Sequence, residues 1–236
     1  LAGANDYVTK PIEARELRAR VNVLTEVQRL SYERILMESA WLQAQIQPHF
    51  LFNTLNSIMA LSEIDLERMR RLIDEFSQVL RAKFNFHQLN DFVSMEEELS
   101  LVKSYVYIQQ ERYEERLKVH WDMEEDLQIM IPSLTIQPLV ENAIEHGVMP
   151  LLEGGNITIR IRDLDSHIEV IIEDDGVGIE EEVLEQIKSG ELSQDFGIGI
   201  KNTNERLKRL FGKGLEINST PGVGTKVKFI IPLNIE

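Results

Sequence analysis

Between residues 12 and 60 the chain carries one proline, Pro48, and no glycine, while apolar side chains return at Val23, Val27, Leu30, Met37, Trp41 and Ala44 in steps of three, four or seven. That period is helical. A second stripe, Leu17, Val21 and Leu24, precedes it, so residues 12–45 read as a linker helix. It can pair as a two-stranded coiled coil, with Arg34 interrupting the seam, or lie as one amphipathic helix on its own domain. A further helix over about residues 66–83 sets Leu66, Met69, Ile73, Phe76 and Leu80 on one face, with Asp65 as its N-cap. Two long helices joined by a tight turn make an antiparallel hairpin, which hides both apolar faces only against another hairpin. A dimeric four-helix bundle over residues 40–88 is therefore expected.

After an aperiodic stretch, FNFHQLNDF at 84–92, the texture changes. Ser94 with Glu97 forms a capping box opening a helix to about Arg116, and LKVHWDM alternates as a strand. Pro132 is expected to open another helix through Glu145. NITIRIRD and HIEVIIED read as strands joined near residues 164–166, GIKNTNERLKRLF as a helix, and GLEINST with TKVKFIIP as a hairpin around PGVG. Helices and strands in this order predict an α+β sandwich over residues 92–236, one sheet covered on one face by helices.

Charge narrows the partners. With 25 basic against 40 acidic residues the net charge is −15, which disfavours nucleic acid and anionic lipid. No apolar run approaches the roughly 18 residues that span a bilayer. The chain has no cysteine and no secretory layout at its start, so a cytoplasmic location without membrane contact is expected.

Asp174, Gly176 and Gly178 stand in DDGVGI at a strand end, a pattern that alone means only a tight turn. Its company changes that reading. QPLVENAIEHG, with Glu141, Asn142 and His146, precedes it, and FGIGI at 196–200 opens a later helix, where glycines let backbone N–H groups approach phosphates. In order, QPLVENAIEHG, DDGVGI, FGIGI and TPGVGT resemble the Bergerat-type ATP-binding sandwich of histidine kinases, gyrase-type ATPases, Hsp90 and MutL. The resemblance implies ATP and Mg2+ as cofactors. Asn142 would ligate the metal, Asp174 would accept from the adenine amino group, and Gly176 and Gly178 would shape the adenine pocket. Gly197 and Gly199 would flank the triphosphate, and Thr225 would hold the adenine through its hydroxyl. Residues 180–196 would be a mobile lid. His146 would line the phosphate pocket or serve only to end its helix.

One position separates the branches of that superfamily. Gyrase and MutL relatives carry a water-activating glutamate four residues before the asparagine, where this chain has Pro138. The γ-phosphate is then expected to pass to a protein nucleophile.

QIQPHFLFNTLNSI, at 45–58, resembles the phosphoacceptor box of LytS-type sensor histidine kinases, and YIQQERYEERL and IQPLVENAIEHG match the same family. By that resemblance His49 is the phosphoacceptor, the chain is a homodimer, and its partner is an aspartate on a response-regulator receiver domain. Pro48 is expected to kink its helix and turn His49 towards the ATP domain. Phe50 stands where the commoner pattern has an acid, leaving the histidine proton without an obvious acceptor. Asn53, one turn on, can hydrogen-bond the ring but is no base. Arg112 and Arg116 are candidates for nucleotide or surface contacts, and His87, His120 and His167 read as solvated. Two rival readings remain: a nucleotide-gated dimeric interaction module, and an ATPase of the same superfamily that does not phosphorylate histidine.

AGANDYVTKPI, at the start, resembles the last strand and turn of a receiver, with Lys10 and a cis Pro11. Residues 1–25 would be a receiver remnant in a fragment of a larger hybrid protein, with Asp6–Thr9 disordered or wrongly paired for want of partner strands. That resemblance leaves room for a membrane-anchored full-length protein with this part facing the cytoplasm.

Overall fold

The computed structural model describes residues 48–84, 92–124, 127–189 and 198–233, together with Arg15, Asn22, Val23 and Thr25. The receiver remnant, nearly all of the linker helix, the kink at Pro48 and Gly197 lie outside the described residues.

Helix α1, Pro48–Ile64, and helix α2, Leu66–Phe84, meet at Asp65. The Asp65 carboxylate accepts from the N–H groups of Glu67 at 3.1 Å and Arg68 at 3.0 Å, the N-cap that its residue type predicts. Each helix carries two apolar sides. On α1, Phe50, Thr54 and Leu61 are buried while Phe52, Leu55 and Met59, on the opposite side, are 64%, 42% and 61% exposed. On α2, Leu72, Phe76 and Val79 are buried, whereas Leu66 and Ile73 stay open. The expected stripe of Leu66, Met69, Ile73, Phe76 and Leu80 is thus divided: Phe76 packs within the chain, Met69 and Leu80 are half-buried, and Leu66 and Ile73 are exposed.

What α2 packs on is α3, Met95–Tyr113, the first helix after the aperiodic stretch. Ser104 Oγ donates to Gln78 Oε1 at 3.3 Å, Arg68 Nη2 to Glu111 Oε2 at 2.8 Å, and the Arg71 guanidinium stacks 4.2 Å above the Tyr107 ring. The Ser94–Glu97 capping box starts α3 as expected. Strand β1, Phe92–Ser94, pairs antiparallel with β3, Met130–Pro132, in a ribbon that the short segments did not announce.

The main sheet is formed by β2, Leu117–Met123; β4, Gly155–Asp163; β5, His167–Asp174; β6, Glu216–Thr220; and β7, Gly224–Pro232. Its order is β2-β4-β5-β7-β6, antiparallel except for β2 with β4. Ile157, Ile159, Ile161, Ile168, Val170 and Ile172 point to the helix-covered core. The opposite face is laced with ion pairs, Asp122 with Arg160 and Arg162, Glu169 with Lys228. Alternation along each strand places the two sets on opposite faces.

Pro132 does not open a helix; it ends β3. Residues 133–136 bend, with Leu134 at φ 48°, and α4 runs Gln137–Asn142. The cause is Glu98, 2% exposed on α3, whose carboxylate accepts from the N–H groups of Leu134 at 2.8 Å, Ile136 at 2.8 Å and Gln137 at 3.3 Å. A buried carboxylate collecting donors caps the helix from outside its own sequence. From Ala143 to Val148 the coil widens to a π-helix, with Met149 N bonded to Ile144 O, five residues back, at 2.9 Å. After the β5 turn come α5, Glu181–Ser189, and α6, Ile198–Phe211. The first half of the expected lid is therefore a helix, anchored by buried Leu184 and Ile187.

Candidate functional site

Asp174 is the last residue of β5 and 8% exposed. Its Oδ1 accepts from Gly176 N at 3.0 Å and Thr225 N at 3.3 Å. Burial pushes the carboxyl up to about 6, against the pull of those two donors. With Oδ1 engaged, Oδ2 is the oxygen left to accept from a ligand.

Around it is a cavity lined by Leu139, Asn142, Ala143, His146, Gly147 and Thr225. Ile172, Ile179, Ile200, Ile217 and Val227 give it apolar walls. An apolar slot with one buried carboxylate is suited to a flat heteroaromatic ring whose exocyclic amine needs an acceptor. Gly178, with φ +70°, lies against the Thr220 carbonyl, where a Cβ would stand 2.2 Å from the oxygen. Gly178 therefore cannot carry a side chain without moving that strand.

Asn142 and His146 both line the cavity, one on α4 and one on the π turn. Asn142 Nδ2 donates to the Pro138 carbonyl, so its Oδ1 is the atom free to act as a ligand. At position 138 there is a ring and a carbonyl, with no carboxylate. Gly199, in the first turn of α6, comes close to the same residues: a Cβ there would lie 3.2 Å from Pro138 Cβ and 3.9 Å from Asn142 Nδ2. The chain thus brings together Asn142, His146, Asp174, Gly176, Gly178, Gly199 and Thr225.

Two contributors escaped the sequence reading. A Cβ on Gly147 would lie 2.7 Å from Asp174 Oδ1, and the Gly147 carbonyl accepts from Val177 N at 2.9 Å. A lone glycine inside a helical pattern, in EHG, is the signal that marks it. Ser219 Oγ meets Thr225 Oγ1 at 2.8 Å and accepts from Ile179 N at 2.8 Å, so it holds the Thr225 hydroxyl to the glycine turn. Nothing in GLEINST singles Ser219 out.

Of the arginines, Arg116 Nη2 donates to Leu151 O at 2.9 Å and so fastens the loop after the π turn. The Arg112 guanidinium lies 4.4 Å from the Tyr113 ring centre. Neither lines the cavity. His120 is exposed, and His167 Nδ1 lies 2.9 Å from Ser166 Oγ; His87 lies outside the described residues. On α1, His49 is exposed, and Asn53 Nδ2 is buried without a hydrogen-bond partner among the described residues.

A model of histidine kinases matches residues 37–117, and a model of histidine kinase-, DNA gyrase B- and HSP90-like ATPases matches residues 130–235. The chain is 40% identical over 233 residues to YwpD of Bacillus subtilis strain 168, covering 98% of this chain and 83% of that one. It is 37% identical over 191 residues to the sensor histidine kinase YpdA of Escherichia coli K12, covering 81% and 33%. The chain belongs to the histidine kinase family. Identity to the sensor histidine kinase YesM of Bacillus subtilis is 34% over 223 residues, covering 92% of this chain and 37% of that one. Of YpdA and YesM the chain thus spans about a third.

Its first part matches histidine kinases and its second part is an ATP-binding domain of the kind they carry. The chemistry of the lining agrees with a nucleotide-binding domain: the buried Asp174 carboxylate has an oxygen outside its two backbone hydrogen bonds, and the glycines keep side chains out of the slot. No helix among the described residues is long and apolar enough to cross a membrane.

Proposed function

We propose that the chain binds Mg·ATP in this cavity, phosphorylates His49, and passes the phosphoryl group to an aspartate on a response-regulator receiver domain, working as a homodimer in the cytoplasm. The observation that carries the reading is Pro138. One helical turn before Asn142, where hydrolysing relatives of the sandwich carry a glutamate, this chain offers only a backbone carbonyl, and that carbonyl is already bonded to the Asn142 amide. A water molecule in the cavity would meet no base at that position, so transfer to a nucleophile is favoured over hydrolysis.

The roles follow from donor chemistry. Asp174 Oδ2 accepts from the adenine amine, and Thr225, held by Ser219, supplies a hydroxyl beside it. Mg2+ would be held through Asn142 Oδ1 and would neutralise charge on the phosphates. Gly199 keeps the triphosphate path clear, with His146 on its rim; Gly197, assigned to the same path by its motif, lies outside the described residues. Neutral His49 attacks the γ-phosphorus through a ring nitrogen, the bond to the ADP oxygen breaks, and ADP leaves with the electron pair. Phe50 supplies no base and Asn53 only a hydrogen bond, so a His49 that is already neutral with the attacking nitrogen unprotonated is the competent form. The exposed side of α1, Phe52, Leu55 and Met59, provides an apolar surface for the second chain.

Incubation with γ-labelled ATP tests the reading. Acid-labile, base-stable label on the protein that disappears in His49→Gln, and that moves to a purified receiver domain, is the expected result. Absence of label in a folded protein that binds ATP would overturn it, and free phosphate release without label would make the chain an ATPase.

A further inference from the structure

Outside the cavity, one ion pair links the helical hairpin to the helix that bears Asn142. Lys83, in the last turn of α2, has its Nζ 3.5 Å from Glu141 Oε2 on α4. Both side chains are largely withdrawn from water, at 10% and 17% exposure, whereas Arg68 in the neighbouring pair with Glu111 is 49% exposed. Solvent therefore screens the Lys83 contact far less. Burial pushes the Glu141 carboxyl above its usual range and nearby Glu145 adds to this, while Lys83 and His146 oppose it. Without Lys83, Glu141 would be a buried charge with its main counterion gone.

Glu141 immediately precedes Asn142 in α4, a helix whose Gln137, Leu139 and Val140 are buried in the core. The helix is six residues long, begins at a bend held by Glu98, and passes directly into the π turn. A lateral tie on residue 141 adds to that packing and bears on the direction in which residue 142 points, because neighbouring helical side chains turn together.

We propose that Lys83 is a positioning residue for the nucleotide site: by holding Glu141 it sets the rotation of α4, so that the second helix of the hairpin governs how well Asn142 engages Mg·ATP. The proposal rests on the reading of Asn142 as the metal-facing residue. It needs no contact between Lys83 and the nucleotide. A shift of α2 moves Lys83, Lys83 carries Glu141, and the metal-dependent share of affinity changes while the adenine contacts at Asp174 do not.

The test compares the full chain with Lys83→Met, Lys83→Arg, Glu141→Gln, and the exchanged pair Lys83→Glu with Glu141→Lys. A fluorescent ATP analogue is titrated with and without Mg2+, thermal midpoints are recorded, and label from γ-labelled ATP is counted. Lys83→Met and Glu141→Gln are expected to weaken Mg2+-dependent analogue binding by about fivefold or more, with Mg2+-free binding unchanged. Lys83→Arg should remain close to the parent, and the exchanged pair should recover most of the loss. A folded Lys83→Met with unaltered Mg2+-dependent affinity, or a loss of equal size with and without Mg2+, would overturn the proposal. The two readings separate cleanly: Lys83-dependent affinity in a parent that takes no label leaves the positioning role standing and removes the kinase reading, and normal labelling with unaltered affinity does the reverse.

Discussion

Gly176 lies so near Gly147 that a methyl group on it would stand 2.2 Å from both the carbonyl carbon and the carbonyl oxygen of Gly147. The turn after β5 and the end of the π turn thus touch backbone to backbone, and Asp174 is clamped between them. Substitutions at the two glycines should separate folding from binding. Gly176→Ala meets rigid backbone and is expected to lower the thermal midpoint. Gly147→Ala meets the Asp174 carboxylate, so it should fold yet lose about tenfold or more in ADP affinity by calorimetry, one misplaced key contact being worth that much. Normal ADP affinity in Gly147→Ala would show that the carboxylate can move aside at no cost.

Asp174 also gives a pH dependence whose two parts have opposite sign. Burial pushes its carboxyl up from 3.8 to about 6 in the folded chain. An acid whose pKa is raised on folding binds its proton more tightly in the native state, so folding stability falls as pH rises between those two values and stays lower above. Adenine binding runs the other way, because the ionised carboxylate is the better acceptor. ADP affinity should be level above about pH 7 and fall by up to about tenfold per unit well below 6. Asp174→Asn should flatten that profile, lose most of the affinity at neutral pH, and show no lower thermal midpoint there. A pH-independent affinity in the parent would remove Asp174 from the adenine contact.

Glu98 predicts a pure stability effect. Its carboxylate serves three N–H groups, those of Ile136 and Gln137 buried and that of Leu134 half-buried, and Glu98→Ala leaves them unpaired. The expected cost is about 3 kcal/mol or more in urea unfolding. Glu98→Gln, which keeps an acceptor for Ile136 and Gln137 but turns an amide towards Leu134, should cost less. Equal stability of all three proteins would mean that water replaces the carboxylate.

The open sides of α1 and α2 predict assembly. Phe52→Glu together with Met59→Glu puts two charges on the uncovered face while sparing buried Thr54 and Leu61. Light scattering should then report a monomer with its ATP-domain folding intact, and a persisting dimer would place the interface elsewhere.

Much of the cavity lining was legible because its residues are marked by type: glycines where backbone must approach backbone, and an acid among isoleucines. What escaped was set by contacts distant in sequence. Pro132 looked like a helix start because prolines favour first turns; the actual start waits for Glu98, a helix away along the chain. The apolar stripe of α2 was read as one face, although the chain divides its apolar residues between α3 and an uncovered side. Ser219 and Gly147 matter only through partners that no local pattern names.

The widened turn at residues 143–148 makes the pocket sensitive to chain length. Deleting a single residue there would let the coil close to ordinary α-helical spacing and swing everything beyond the gap by about 100°. His146 would leave the rim, and the Gly147 carbonyl would lose Val177. A substitution in this segment leaves the path of the backbone in place, but an insertion or deletion of one residue would erase the floor of the pocket with the other functional side chains still present.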